Sequence, residues 1–96
     1  MAEVRLTVVF SEWLAELRDR DARSRIITRL RRMELGNPGD VKSVGEGVSE
    51  LRIKHGPGYR IYFVQRGPVL VVMLCGGDKS TQSSDILRAK RLAQEV

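Results

Sequence analysis

The chain has 96 residues, a formal net charge of +5 and a pI near 10.0. Hydrophobic residues make up 42% and charged ones 30%, the balance of an ordinary soluble globule with one modest core, so residues 1–96 are expected to form a single domain. One Cys and one His argue against a disulfide scaffold and a metal centre, and no apolar run approaches the ~20 residues that span a bilayer.

The N-terminal Met-Ala-Glu-Val-Arg-Leu lacks the basic-then-apolar leader of a signal peptide, and a single Cys suits a reducing cytoplasm. The surplus of cations on so small a chain points to an anionic partner, nucleic acid or an acidic protein, and without a spanning run no membrane partner is expected.

Residues 4–9 alternate and are rich in β-branched side chains, which predicts a first strand. Ser11 is then expected to cap a helix starting at Glu12, with Trp13, Leu14 and Leu17 as its buried stripe. Asp19-Arg20-Asp21 breaks that pattern, and a second helix follows over 21–35. Ala22, Ile26, Ile27, Leu30 and Met33 supply its apolar face, and Arg23, Arg25, Arg29, Arg31 and Arg32 occupy the rest. Those arginines suit solubility, RNA phosphates or an acidic partner segment equally well. Gly36-Asn37-Pro38-Gly39-Asp40 ends the helix.

A short strand over 41–44 precedes the turn Gly45-Glu46-Gly47. Residues 47–63 read as a β-hairpin around Gly56-Pro57-Gly58. Leu51 and Ile53 share one face of its first strand, as do Tyr59, Ile61 and Phe63 on its second. Keeping these on one side of the sheet sets Ile53 opposite Tyr59 and Leu51 opposite Ile61. Arg52 then falls opposite Arg60, and Glu50 opposite Tyr62. Two facing arginines repel. They call either for a polyanion or for an acid such as Glu50 on a solvated face.

Arg66-Gly67-Pro68 makes the next turn, and the unbroken apolar run 69–75 predicts a strand buried on both faces, with Cys75 a core thiol. After Gly76-Gly77-Asp78-Lys79-Ser80, Ser83 or Ser84 is expected to cap a last helix running to about Gln94, with Asp85 in its first turn. The order of elements is that of an α+β domain, with helices packed on one face of a mainly antiparallel sheet.

The charged face of the hairpin gathers Arg52, Lys54, His55, Arg60 and Tyr62, and the end of the apolar strand delivers Lys79 beside them. No phosphate-binding Gly-x-x-x-x-Gly-Lys-Ser/Thr motif and no Ser-His-Asp set occurs. A cationic, metal-free site without a cofactor suits RNA cleavage by the neighbouring 2′-hydroxyl, where cations neutralise the phosphorane while one group accepts a proton and another donates one. Histidine exchanges protons near neutral pH, which makes His55 a candidate. The plainer reading of His55 is a residue of the hairpin tip. Tyr62 is the candidate for stacking on a base.

The segments Trp13-Leu14, Arg29-Leu30, Gly36-Asn37-x-Gly-Asp40, Gly45-Glu-Gly-Val-Ser-Glu-Leu-Arg-Ile53, Gly56-Pro-Gly-Tyr-Arg-Ile-Tyr-Phe63 and Leu74-Cys-Gly-Gly-Asp-Lys-Ser-Thr-Gln82, with Asp85-Ile86, resemble the addiction module killer proteins, HigB-like toxins of the RelE/ParE superfamily. The resemblance covers nearly the whole chain. It implies a RelE/ParE-like fold with two N-terminal helices on one face of the sheet and a C-terminal helix. It also implies a type II toxin that cleaves mRNA on the ribosome and is silenced by a cognate antitoxin, commonly of the helix-turn-helix kind, with scope for a higher-order toxin–antitoxin assembly.

Carried over, Arg60 in Gly-Tyr-Arg corresponds to the arginine that contacts the scissile phosphate. Lys79 matches a basic residue at the end of the central strand, and Arg52 lies among the family's basic positions. The acid–base lysines of RelE toxins are not matched, Glu50 standing near one of them, and the late catalytic tyrosine has no counterpart. Acid and base remain open among His55, Glu50 and Lys54. A ParE-like DNA gyrase inhibitor and an inactive basic binding module are the alternative readings, since one scaffold hosts several activities.

Overall fold

The computed structural model describes residues 2–96. Strand β1 (Glu3–Leu6) leads into helices α1 (Val8–Glu16) and α2 (Arg20–Glu34). Strands β2 (Val41–Gly45), β3 (Val48–Ile53), β4 (Tyr59–Arg66) and β5 (Leu70–Gly77) follow. A single 3-10 turn (Lys79–Thr81) then leads into helix α3 (Gln82–Ala93). The strands form one sheet in the order β1-β5-β4-β3-β2, antiparallel throughout except that β1 runs parallel to β5. This is the α+β architecture expected from the sequence.

The hairpin register is the one that alternation requires. Ile53 pairs with Tyr59, Leu51 with Ile61, Arg52 with Arg60 and Glu50 with Tyr62. Strand β5 is buried on both sides. Val71 and Met73 enter the core beneath α1 and α2, and Val72, Leu74 and Cys75 enter the core beneath α3. A bulge lets Leu74 and Cys75 face the same way, because Tyr62 pairs with Cys75 while Phe63 pairs with Met73.

Four expectations need correction. The first strand stops at Leu6 and α1 begins at Val8, before Ser11, although Val8 and Val9 favour strands. Thr7 decides this: its hydroxyl donates to the Leu74 carbonyl at 2.7 Å and accepts from the Phe10 amide at 3.0 Å, which caps the helix against β5. Phe10 is thereby brought into the core with no exposure, while Trp13, Leu14 and Leu17 pack around it partly buried. In α2, Ala22, Ile26, Leu30 and Met33 are buried, but Ile27 sits on the flank of the stripe and is 38% exposed.

At the other end, neither Ser83 nor Ser84 caps α3, which starts at Gln82. The Asp78 carboxylate instead accepts from the Ser80 amide at 2.8 Å and caps the 3-10 turn. Lastly, the helices do not share one face. α1 and α2 cover Leu51, Ile53, Ile61 and Phe63, whereas α3 lays Ala89 and Ala93 over Val48, Tyr62, Val64, Val72 and Leu74 on the opposite face.

Candidate functional site

The face under α3 is graded along the hairpin. Its successive cross-strand pairs are Val48–Val64, Glu50–Tyr62 and Arg52–Arg60. The apolar pair lies under the helix, the charged pair lies toward the hairpin turn, and Glu50 and Tyr62 form the boundary. Burying Val48 and Val64 under Ala89 and Ala93 carries Glu50 and Tyr62 in with them, and both have no exposure.

A buried carboxylate is tolerable only when it is paired. One oxygen of Glu50 accepts from Arg52 Nε at 3.3 Å and lies 3.7 Å from Arg60 Nε. The other accepts from the Tyr62 hydroxyl at 3.1 Å and from Gln82 Nε2 at 2.8 Å. The facing arginines are thus held apart and aimed by one carboxylate lying beneath them. Arg60 Nη1 also donates to the Gly58 carbonyl at 2.8 Å, while its buried Nε has no hydrogen bond and meets Glu50 by charge alone.

The turn that receives Arg60 is specific. Gly58 has φ +78°, where a side chain would be strained, and a β-carbon there would lie 3.2 Å from Arg60 Nη1 and 3.6 Å from Lys79 Cβ. Arg60 Nη1 and the base of the Lys79 side chain therefore both border Gly58. Strand pairing brings the two segments together, since Arg60 pairs with Gly77 at the end of β5. The glycines of β5 are required for space. A β-carbon on Gly77 would strike the Asp85 carboxylate, and one on Gly76 would lie 2.5 Å from the Trp13 ring. Nearby, the Ser80 hydroxyl and amide hold the Asp78 carboxyl below its ordinary range, with Arg60 adding to this.

The sequence-derived site residues separate into three groups. Arg52 and Arg60 face each other across the hairpin, and the base of the Lys79 side chain lies beside Gly58. Glu50 and Tyr62 do not stand on an open face. Tyr62 offers no ring to a base, and burial together with the Glu50 charge pushes its hydroxyl well above the usual phenol range. Lys54 lies past the end of β3 and lines a groove against α2.

His55 bonds Asp19 through Nε2 at 3.0 Å. Asp19 is also the cap of α2, and the amide of Ala22 holds its carboxyl below the ordinary value, against burial and with help from His55. His55 thus fastens the hairpin tip to α2, and its carbonyl accepts from the Gly58 amide at 3.2 Å. Gln82 is the member that the sequence reading missed. No local pattern marks a glutamine at a helix start as the partner of a carboxylate 32 residues earlier.

The model of the phage-derived protein Gp49-like family (DUF891) matches residues 12–95, from within α1 through α3. The chain belongs to the Gp49-like family. A protein of Haemophilus influenzae (strain Rd), described as uncharacterized, is 49% identical over 94 residues, covering 98% of this chain and 95% of that protein. Glu50, Arg52, Arg60, Lys79 and Gln82 all lie within the Gp49-like match. The Gp49-like family is toxin-like and related to addiction modules, which implies an antitoxin partner in general. Among the described residues, no helix of this Gp49-like protein is long and apolar enough to cross a membrane.

Proposed function

We propose that this protein is the toxin of a bacterial type II toxin–antitoxin system, of the HigB-like branch of the RelE/ParE superfamily. In this reading it is a metal-independent endoribonuclease acting in the cytoplasm on mRNA in the translating ribosome. The observation that carries the reading is that Arg60 Nη1 and the base of the Lys79 side chain both border Gly58, with Arg52 facing Arg60 across the hairpin.

In cleavage, the 2′-oxygen attacks phosphorus, its proton goes to a base, and the bond to the 5′-oxygen breaks as that oxygen is protonated. The phosphorane carries extra negative charge, which Arg60 and Lys79 neutralise, and Arg52 holds a neighbouring phosphate. Glu50 acts as a positioning residue, fixing both guanidinium groups from below. His55 is the candidate proton acceptor. The Asp19 contact at Nε2 orients the ring and leaves Nδ1 as the nitrogen open to accept a proton. His55 is bonded to Gly58, which in turn holds Arg60. A cognate antitoxin, of the helix-turn-helix kind in this reading, neutralises the toxin by covering the cationic face or an adjacent helix.

The test is primer extension on mRNA after brief induction of the toxin, with Arg60→Ala as control. New 5′ ends inside translated frames, reduced about 100-fold or more in Arg60→Ala, are expected. Growth arrest with intact mRNA would refute ribonuclease action and turn the search to DNA gyrase. Intact mRNA without arrest would leave a basic binding module.

A further inference from the structure

The groove between α2 and the end of β3 is open at the surface and has a volume of about 300 Å³. Ser24, Arg25, Thr28, Arg29, Arg32, Ile53 and Lys54 line it. Four of these are cations, and none forms an ion pair with a carboxylate among the described residues. Arg29 forms the floor. Its Nη1 donates to the Arg52 carbonyl at 2.9 Å and its Nη2 to the Pro38 carbonyl at 3.1 Å, with Gly39 packed against the guanidinium. Arg25 and Arg32 flank it at helical spacings of four and three residues, so like charges crowd along one face of α2. Like-charge neighbours at these spacings destabilise a helix. Burial and the charge of Arg32 lower the proton affinity of Arg29, which Asp40 opposes.

We infer that this groove is a second nucleic-acid site, which takes backbone phosphates of RNA and is separate from the Arg60–Lys79 cluster. Arg25, Arg32 and Lys54 supply exposed cations, and the Ser24 and Thr28 hydroxyls stand beside them as donors to phosphate oxygens. The two sites are physically joined at Arg52. Its side chain contacts Glu50 on the α3 face, and its carbonyl is held by the floor of the groove. A strand of RNA passing the hairpin edge meets cations on both faces of the sheet.

A protein segment is the poorer fit. Partner helices and strands bind through apolar anchors, and Ile53, the one large apolar residue lining the groove, is only 3% exposed. Charge without an anchor is the composition of a phosphate track.

This inference rests on RNA being the ligand of the protein, but its test does not depend on cleavage. The probe is a fluorescent 2′-O-methyl oligoribonucleotide, which lacks the attacking hydroxyl. Its binding to the full chain is measured across salt concentrations. Arg25→Glu/Arg32→Glu is compared with Arg5→Glu/Arg91→Glu, which changes net charge equally at exposed positions on β1 and α3.

Loss of two phosphate contacts on a single strand lowers the slope of log affinity against log salt by about 1.4. That change is expected in the groove variant and not in the control. Equal slopes in both variants would overturn the inference. So would an unchanged RNA slope together with loss of polyglutamate binding, which would make the groove a seat for an acidic chain. If Arg60→Ala leaves mRNA cleavage untouched while the groove slope still falls, the catalytic reading fails and the groove stands.

Discussion

Replacing Glu50 by Gln keeps the shape of the side chain and removes its charge. Gln82 and Tyr62 can both adapt, since an amide can turn and a hydroxyl can accept as well as donate. The arginines keep an amide oxygen to donate to but lose the negative charge, and a guanidinium cannot shed its own charge in response. At about 4 Å and an effective dielectric of about 20, each pairing is worth about 4 kcal/mol before desolvation is subtracted. Removing one partner of a buried ion pair costs about 3–5 kcal/mol. Arg52 is 37% exposed and regains water, whereas Arg60 is only 14% exposed. The lower end applies, about 3 kcal/mol.

For a chain of this size that is a fall in Tm of about 12 °C or more. Circular dichroism melts of wild type and Glu50→Gln at neutral pH read it directly. Because Glu50 is buried, the difference is expected to persist in high salt, where exposed pairs are screened. A fall of less than about 4 °C, equivalent to about 1 kcal/mol, would refute the claim that one carboxylate holds both arginines.

Gly76→Ala drives a methyl group into the ring of Trp13 at 2.5 Å. Trp13 also packs near Phe10 and Tyr59, at ring separations of 5.8 and 6.4 Å, so it has little room to yield. A loss of about 2 kcal/mol is expected, together with a shift in the emission of the chain's single tryptophan. Unchanged melting and emission would contradict this packing. Burial, with Asp85 adding to it, pushes the Cys75 thiol up to about 11 from its usual 9.0. The unfolded chain therefore releases this proton first as pH rises. Stability from this group is fully present below pH 9 and falls by about 1.4 kcal/mol per pH unit between about 9 and 11. Denaturant titrations of wild type and Cys75→Ala across that window should differ in slope, and parallel slopes would rule the effect out.

The hairpin was legible because side chains on a strand alternate with a period of two. Only one register keeps Leu51, Ile53, Tyr59, Ile61 and Phe63 together, and that register forces Arg52 against Arg60. What covers the other face was not legible from the hairpin's polar residues. Val48 and Val64 gave the available signal, since they continue the alternation of Glu50 and Tyr62 toward an apolar end. The weakly apolar stripe of α3, with Ala89 and Ala93 in contact, does not announce which face it will cover.

The sequence by itself determined which residues form strands and helices over most of the chain, the pairing of the hairpin, and the surplus of cations. These follow from local periodicity, turn residues and charge, which act over a few positions. Only the tertiary structure decided where α1 starts, what His55 does and how Glu50 is satisfied. Those outcomes depend on Thr7 reaching Leu74, His55 reaching Asp19 and Gln82 reaching Glu50, across 67, 36 and 32 residues of chain. A polar side chain carries its bonding capacity in its own chemistry, but its partner is fixed by the packing that brings distant segments within about 3 Å.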